Sequence, residues 1–188
     1  MSQFERYIDS AWGAMKTLDL GQVEGLAVAL REAWAEGRQV FICGNGGSAA
    51  NAIHIANDLF YGIAKDFGRG GIRAQALSAN QAVMTCLAND VSYDAVFSKQ
   101  MEVLARKGDL LIALSGSGNS RNILAAIQAA RRLGMASYAI LGYSGGQCLT
   151  LADHVIHLRL DDMQISEDSQ LIIGHMVMQW LKANPPTA

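Results

Sequence analysis

Val40-Phe41-Ile42-Cys43-Gly44-Asn45-Gly46-Gly47-Ser48 joins a short apolar run to a glycine turn that ends on a serine. The run reads as a buried strand, since continuous apolar residues bounded by glycine suit a sheet covered on both faces. A helix over residues 48–61 follows. The pattern recurs at Leu110-Leu111-Ile112-Ala113-Leu114, which runs into Ser115-Gly116-Ser117-Gly118-Asn119-Ser120. A helix over 119–133 comes next, with Ile123, Ile127 and Ala130 on one face. Two strand–turn–helix units in one chain predict an α/β fold.

The rest of the chain extends that frame. Helices are expected over 3–18, 21–36, 80–88, 94–105 and 166–182. Further strands are expected over 74–77, 137–141 and 155–158, and a glycine-rich charged loop over 62–71. Strands alternating with helices imply a mainly parallel sheet covered on both faces. Trp12, Met15, Leu18 and Leu20 make the first two helices apolar on more than one side. Such a pair packs either against another subunit or on its own sheet.

The chain has 188 residues, 51% of them apolar, and a net charge of −2. That suits one domain with a full core and excludes disorder. No basic stripe points to nucleic acid. Both prolines, Pro185 and Pro186, lie at the C-terminal end, so no proline-marked linker divides the chain. The N-terminus lacks the pattern of a signal peptide, and no apolar stretch is long enough to span a bilayer. Cys43, Cys86 and Cys148 are odd in number and widely spaced. They read as reduced core residues of a cytoplasmic protein.

The two glycine turns carry the chemistry. Ligands of open α/β sheets bind beyond the carboxyl ends of the strands. Glycines let the backbone approach an anion, and the N–H groups of the following helix point at it. Serine hydroxyls add donors of small size. Either Ser48 or Ser120 alone could be an ordinary helix cap. Two such turns together are harder to explain by capping, and they predict a phosphate cradle. Neither turn fits a nucleotide motif well. The first lacks the Walker lysine, and Ala49 stands where a dinucleotide fingerprint has its third glycine. Alanine is sometimes allowed there, which weakens that reading without removing it. No nucleotide cofactor is expected.

At these residues the sequence resembles the SIS (sugar isomerase) domain family, and within it the phosphoheptose isomerase branch. The matching segments are Gly44-Asn45-Gly46-Gly47-Ser48, Ala52-Ile53-His54, Asn89-Asp90, Ser115-Gly116-Ser117-Gly118-Asn119-Ser120 and the last helix with His175. The resemblance covers nearly the whole chain. It implies a single domain over residues 1–188, a three-layer sandwich with a five-stranded parallel sheet. Residues 1–36 would be a helical pair used in oligomerisation and 37–183 the α/β core. It further implies a homotetramer with active sites at subunit interfaces. The implied reaction converts sedoheptulose 7-phosphate to an aldoheptose 7-phosphate through an enediol.

The resemblance also assigns residues. Asn45, Gly46, Gly47, Ser48, Ser115, Gly116, Ser117 and Ser120 would hold the phosphate, and Asp90 would contact sugar hydroxyls. Asp58 and His175 would be the acid–base pair that the isomerisation needs. Some members bind zinc at places matching His54, Asp58, Glu167 and His175, which implies a zinc site there. His54 and Asp58 are four residues apart and share a helix face. Glu167 and His175 are eight apart, slightly over two turns. Four ligating groups would converge if the two helices face each other across a subunit boundary. Without the family, His175 reads as a satisfied core histidine and Asp58 as a solvated helix carboxylate. His154 and His157 are assigned to structure. Asp58 stands where the family has glutamate, and Asn51, Gly62 and Met163 also depart from its common pattern. Two binding-only readings stand beside the enzyme. One is a non-catalytic relative similar to the DnaA initiator-associating protein. The other is a regulatory module that senses a phosphosugar. Binding alone does not require Asp58 and His175.

Overall fold

The computed structural model describes residues 1–65 and 70–187. Helices α1 (Gln3–Lys16) and α2 (Leu20–Glu36) lead into β1 (Gln39–Cys43) and α3 (Gly47–Asn57). Then come β2 (Arg73–Ala76), α4 (Gln81–Asp90), α5 (Ser98–Leu104), β3 (Leu110–Ser115), α6 (Arg121–Leu133) and β4 (Ala136–Leu141). Helix α7 (Cys148–Leu151), β5 (His154–His157) and α8 (Met163–Ala183) complete the chain. The starts and stops follow local chemistry. Ser2 and Glu5 form a capping box, Asp19 and Asp162 cap α2 and α8, and Gly37 and Gly134 end α2 and α6 in the left-handed conformation.

The five strands pair in parallel in the order β2-β1-β3-β4-β5. Side chains alternate between the two faces, as the strand repeat requires. Val40, Ile42, Leu110, Ile112 and Leu114 face one core with α2, α3 and α8. Phe41, Cys43, Leu111 and Ala113 face the other with Phe97, Met101, Ile123 and Ile127. Each fully buried aliphatic side chain contributes about 1.5–3 kcal/mol. The single-domain three-layer sandwich is therefore as expected. Among the described residues, no helix is long and apolar enough to cross a membrane.

Several expectations need correction. The helix expected over 48–61 is α-helical only to Asn57. Asp58–Gly62 form a π turn, in which Ile63 N–H donates to Asp58 O at 3.0 Å. The helix expected over 94–105 divides into a 3-10 turn at Tyr93–Ala95 and α5. Helix α7 was not foreseen, and α8 begins three residues early because Asp162 caps it. Residues 66–69 of the expected loop lie outside the described residues. The N-terminal pair also splits in role. Helix α2 is spent on the chain's own core through Leu26, Leu30 and Trp34, whereas α1 leaves Phe4, Ile8 and Trp12 exposed. All three cysteines are free thiols; Cys43 and Cys148 are buried as expected, but Cys86 is exposed, because α4 buries none of its residues fully. Burial raises the Cys43 thiol far above its usual range and pushes Cys148 up to about 11.

Candidate functional site

Strand order reverses between β1 and β3, so α3 and α6 leave the sheet on opposite faces. A crevice opens at such a switch point, outside the carboxyl ends of the strands. Both serine-bearing turns lie at this crevice. Asn45, Gly46, Ser48, Ser115, Gly116, Ser117 and Ser120 line a cleft of about 260 Å³, with Met163 and Glu167 of α8 on the remaining side.

Capping does not account for the serines. Gly46, not Ser48, occupies the N-cap of α3. Ser120 occupies the N-cap of α6, but its side chain makes no cap hydrogen bond. Ser115 Oγ accepts from Gly118 N–H at 3.1 Å, and Ser117 Oγ accepts from Asn119 N–H at 3.3 Å. These bonds shape the second turn and leave the hydroxyl protons free to donate. Gly118 sits at φ +66, and a Cβ there would collide with Gly145 O. Asn119 ties the turn to the loop before α7 by accepting from Gln147 N–H at 3.1 Å.

Asn45 has a bracing role that the sequence did not show. Its amide exchanges two hydrogen bonds with Asn122, at 2.9 and 2.8 Å, and accepts from Tyr93 Oη at 3.0 Å. The pair clamps the first turn to α6 across the crevice. Asn122 is buried in the first turn of α6. A polar residue at a buried position two places after Ser120 is the only signal that could have found it. Asp90 is exposed at the end of α4 and is not among the residues lining the cleft. Hydrogen bonds from Asn89 and then Cys86 hold its carboxyl below the usual range.

Helices α3 and α8 pack side by side and run in the same direction away from the cradle. Asn51 Nδ2 donates to Glu167 O at 2.8 Å, and farther along His54 Nε2 lies 3.1 Å from His175 Nε2. Asp58 Oδ2 lies 3.4 Å from His54 Nε2 and 3.5 Å from His175 Nε2. The shortened carboxylate at 58 therefore still reaches both imidazoles. It stands at the first position of the π turn, a backbone feature that recurs at functional sites. Its side chain is 18% exposed, against 49% for His54 and 47% for His175. His175 is thus neither buried in the core nor alone.

The same geometry tests a metal. A tetrahedral zinc with ligands at about 2.0–2.1 Å sets them about 3.3 Å apart. The three separations here match that spacing, and the donor set of two imidazoles and one carboxylate suits the ion. Within the chain, Glu167 is not part of this cluster. Eight residues of α8 correspond to ~12 Å of rise, so sharing a face with His175 does not bring the two together. Glu167 lies at the cradle instead, where its carboxylate covers Gly47 so closely that a Cβ there would collide with it. The three-residue cluster also forms within one chain, without a subunit boundary. His154 stacks on Tyr138 with centroids 4.5 Å apart, and His157 Nε2 lies 3.0 Å from Tyr143 O, as expected for structural histidines.

Comparison with known proteins agrees with this architecture. The SIS domain model matches residues 3–142. The probable phosphoheptose isomerase of Thermoplasma acidophilum is 35% identical over 92% of this chain and 94% of its own length. The phosphoheptose isomerase of Mycobacterium tuberculosis is 42% identical over 76% of this chain and 72% of its own. The structure of phosphoheptose isomerase GmhA from Neisseria gonorrhoeae superposes with a TM-score of 0.87 at 28% identity, covering 96% of this chain and 95% of that one. The chain belongs to the SIS domain family.

Proposed function

We propose that this chain is an isomerase of sugar phosphates that converts sedoheptulose 7-phosphate to an aldoheptose 7-phosphate. The observation that carries the reading is the meeting of Asp58 and His175 on two helices that both start at a phosphate cradle. Its relatives at 35–42% identity, named phosphoheptose isomerases, support the same substrate.

In this reading the N–H groups and hydroxyls of the two turns hold the phosphate. Asp58 removes a proton from C1 while His175 donates one to the C2 carbonyl oxygen, which gives the enediol. Return of a proton to C2, with loss of the O1 proton, leaves the C1 aldehyde. Each positioned proton transfer contributes ~100- to 10,000-fold in rate. Zinc, where bound, would be held by His54, Asp58 and His175; the ligating nitrogen of His175 would then carry no proton, and the ion would polarise the carbonyl oxygen in place of that proton. We further assign the chain to the cytoplasm, and to a homotetramer joined through the exposed apolar face of α1.

Turnover of sedoheptulose 7-phosphate by the purified protein tests the reading. Asp58→Asn and His175→Ala are expected to lower kcat at least ~100-fold with the circular dichroism spectrum unchanged. Full activity in both variants would remove the acid–base assignment. Chelation followed by zinc addition tests the metal: activity that neither falls nor recovers would remove it.

A further inference from the structure

The second serine turn takes its shape from the loop between β4 and α7, residues 142–147. Gly142 N–H donates to Gly116 O at 2.9 Å, and Cys148 N–H donates to Gly118 O at 3.0 Å. Gly145 O stands where a Cβ of Gly118 would be, and Ser117 O stands where a Cβ of Gly146 would be. The two backbones therefore fit together with no side chain between them. Gly118 N–H also donates to Ser115 Oγ, so a shift of the loop carries into the hydroxyls of the cradle.

The loop itself is strained. Tyr143 has φ +44 and is, among the described residues, the one non-glycine residue with positive φ. An L-residue keeps that conformation where neighbouring groups fix it. Two groups do so here, both from the chain at or just beyond β5. Leu160 O accepts from Tyr143 N–H at 3.1 Å, and His157 Nε2 lies 3.0 Å from Tyr143 O. A carbonyl oxygen only accepts, so Nε2 carries the hydrogen and donates. The same ring rests against Gly145, where a Cβ would lie 3.3 Å from its Cε1. His157 is itself fixed as the last residue of β5, in register with Leu141 at the end of β4.

We propose that His157 is a positioning residue for the phosphate cradle. By donating to Tyr143 O it fixes the strained loop, and the loop sets Gly118, Ser115 and Ser117 for an anion. His157 is not among the residues lining the cleft and acts through the backbone alone. Every contact in this relay lies within one chain. The inference rests on the phosphosugar reading above.

The test uses the full chain with inorganic phosphate as probe, its binding measured by calorimetry beside steady-state kinetics on sedoheptulose 7-phosphate. His157→Leu, which removes the donor, is expected to raise both the Kd for phosphate and the KM about five-fold, the weight of one ordinary hydrogen bond, with kcat within about two-fold of wild type. His157→Gln, whose amide can still donate to Tyr143 O, is expected to restore both. Should His157→Leu fail to fold, His157→Asn takes its place, since it is polar but a methylene too short to reach that carbonyl. A merely structural histidine would lower Tm and leave Kd and KM alone. A phosphate Kd within about two-fold of wild type in the variant that lacks the donor, or a loss that His157→Gln does not reverse, overturns the proposal. A wild type that neither binds phosphate nor turns over the sugar phosphate would overturn the cradle, and this role with it.

Discussion

At the scale of the residue, the cradle depends on hydroxyls that the backbone does not consume. Ser115 and Ser117 use their oxygens as acceptors within the turn and keep their protons for a ligand. Replacing both with alanine is expected to raise the KM for the phosphosugar at least ~10-fold, since hydrogen bonds to charged groups are worth ~1.5–3 kcal/mol each. Steady-state kinetics checks this, and an unchanged KM would move the phosphate elsewhere. Ser48, Ser120 and the pair His54–Asp58 were legible in the sequence because their spacing is local. Asn122 and Tyr93 were not, because their partner Asn45 is far away in the chain. Glu167 lies on the face of α8 that the spacing predicted, but within the chain it sits at the cradle and not beside His175. Helical periodicity reports which face a residue occupies and says nothing of how far along the axis its partner lies.

At the scale of the element, α8 joins the cradle to the proposed acid–base pair. Its N-terminal turn carries Met163 and Glu167 to the cleft, and His175 lies two turns further on. Asp162 starts the helix by accepting from Ile165 N–H at 2.9 Å. Asp162→Ala is expected to cost ~1 kcal/mol and to lower Tm by about 2–4 °C. Because the frayed turn is the one at the cleft, KM should rise while kcat holds. Thermal melts and kinetics together check this, and a fall in kcat at constant KM would contradict it. The existence of nearly every element was readable from apolar runs and glycine punctuation. The π turn at Asp58–Gly62 was not, since one extra residue per turn leaves no mark on a pattern read at the α-helical period.

At the scale of the whole molecule, two hydrophobic cores and one exposed apolar face set the behaviour. Phe4, Ile8 and Trp12 remain 83%, 65% and 63% exposed along α1. Beside them, Trp12, Met15, Ile172 and Met176 help line an apolar cavity of about 480 Å³ between α1 and α8. If the chain assembles through this face, Ile8→Asp combined with Trp12→Asp should reduce the mass seen by light scattering while leaving the α/β core folded. An unchanged mass would place the interface elsewhere. By itself the sequence determined the α/β class, the parallel sheet and the two serine turns. These follow from short-range periodicity, and the strand–turn–helix unit is written in consecutive residues. Only the tertiary structure decided which candidates meet. It joined His54 and Asp58 to His175, sent Glu167 to the cradle, and divided the N-terminal pair into one buried and one exposed helix. The reason is that β1 and β3 become neighbours across some seventy residues, and the side-by-side packing of α3 and α8 sets distances that no local pattern encodes.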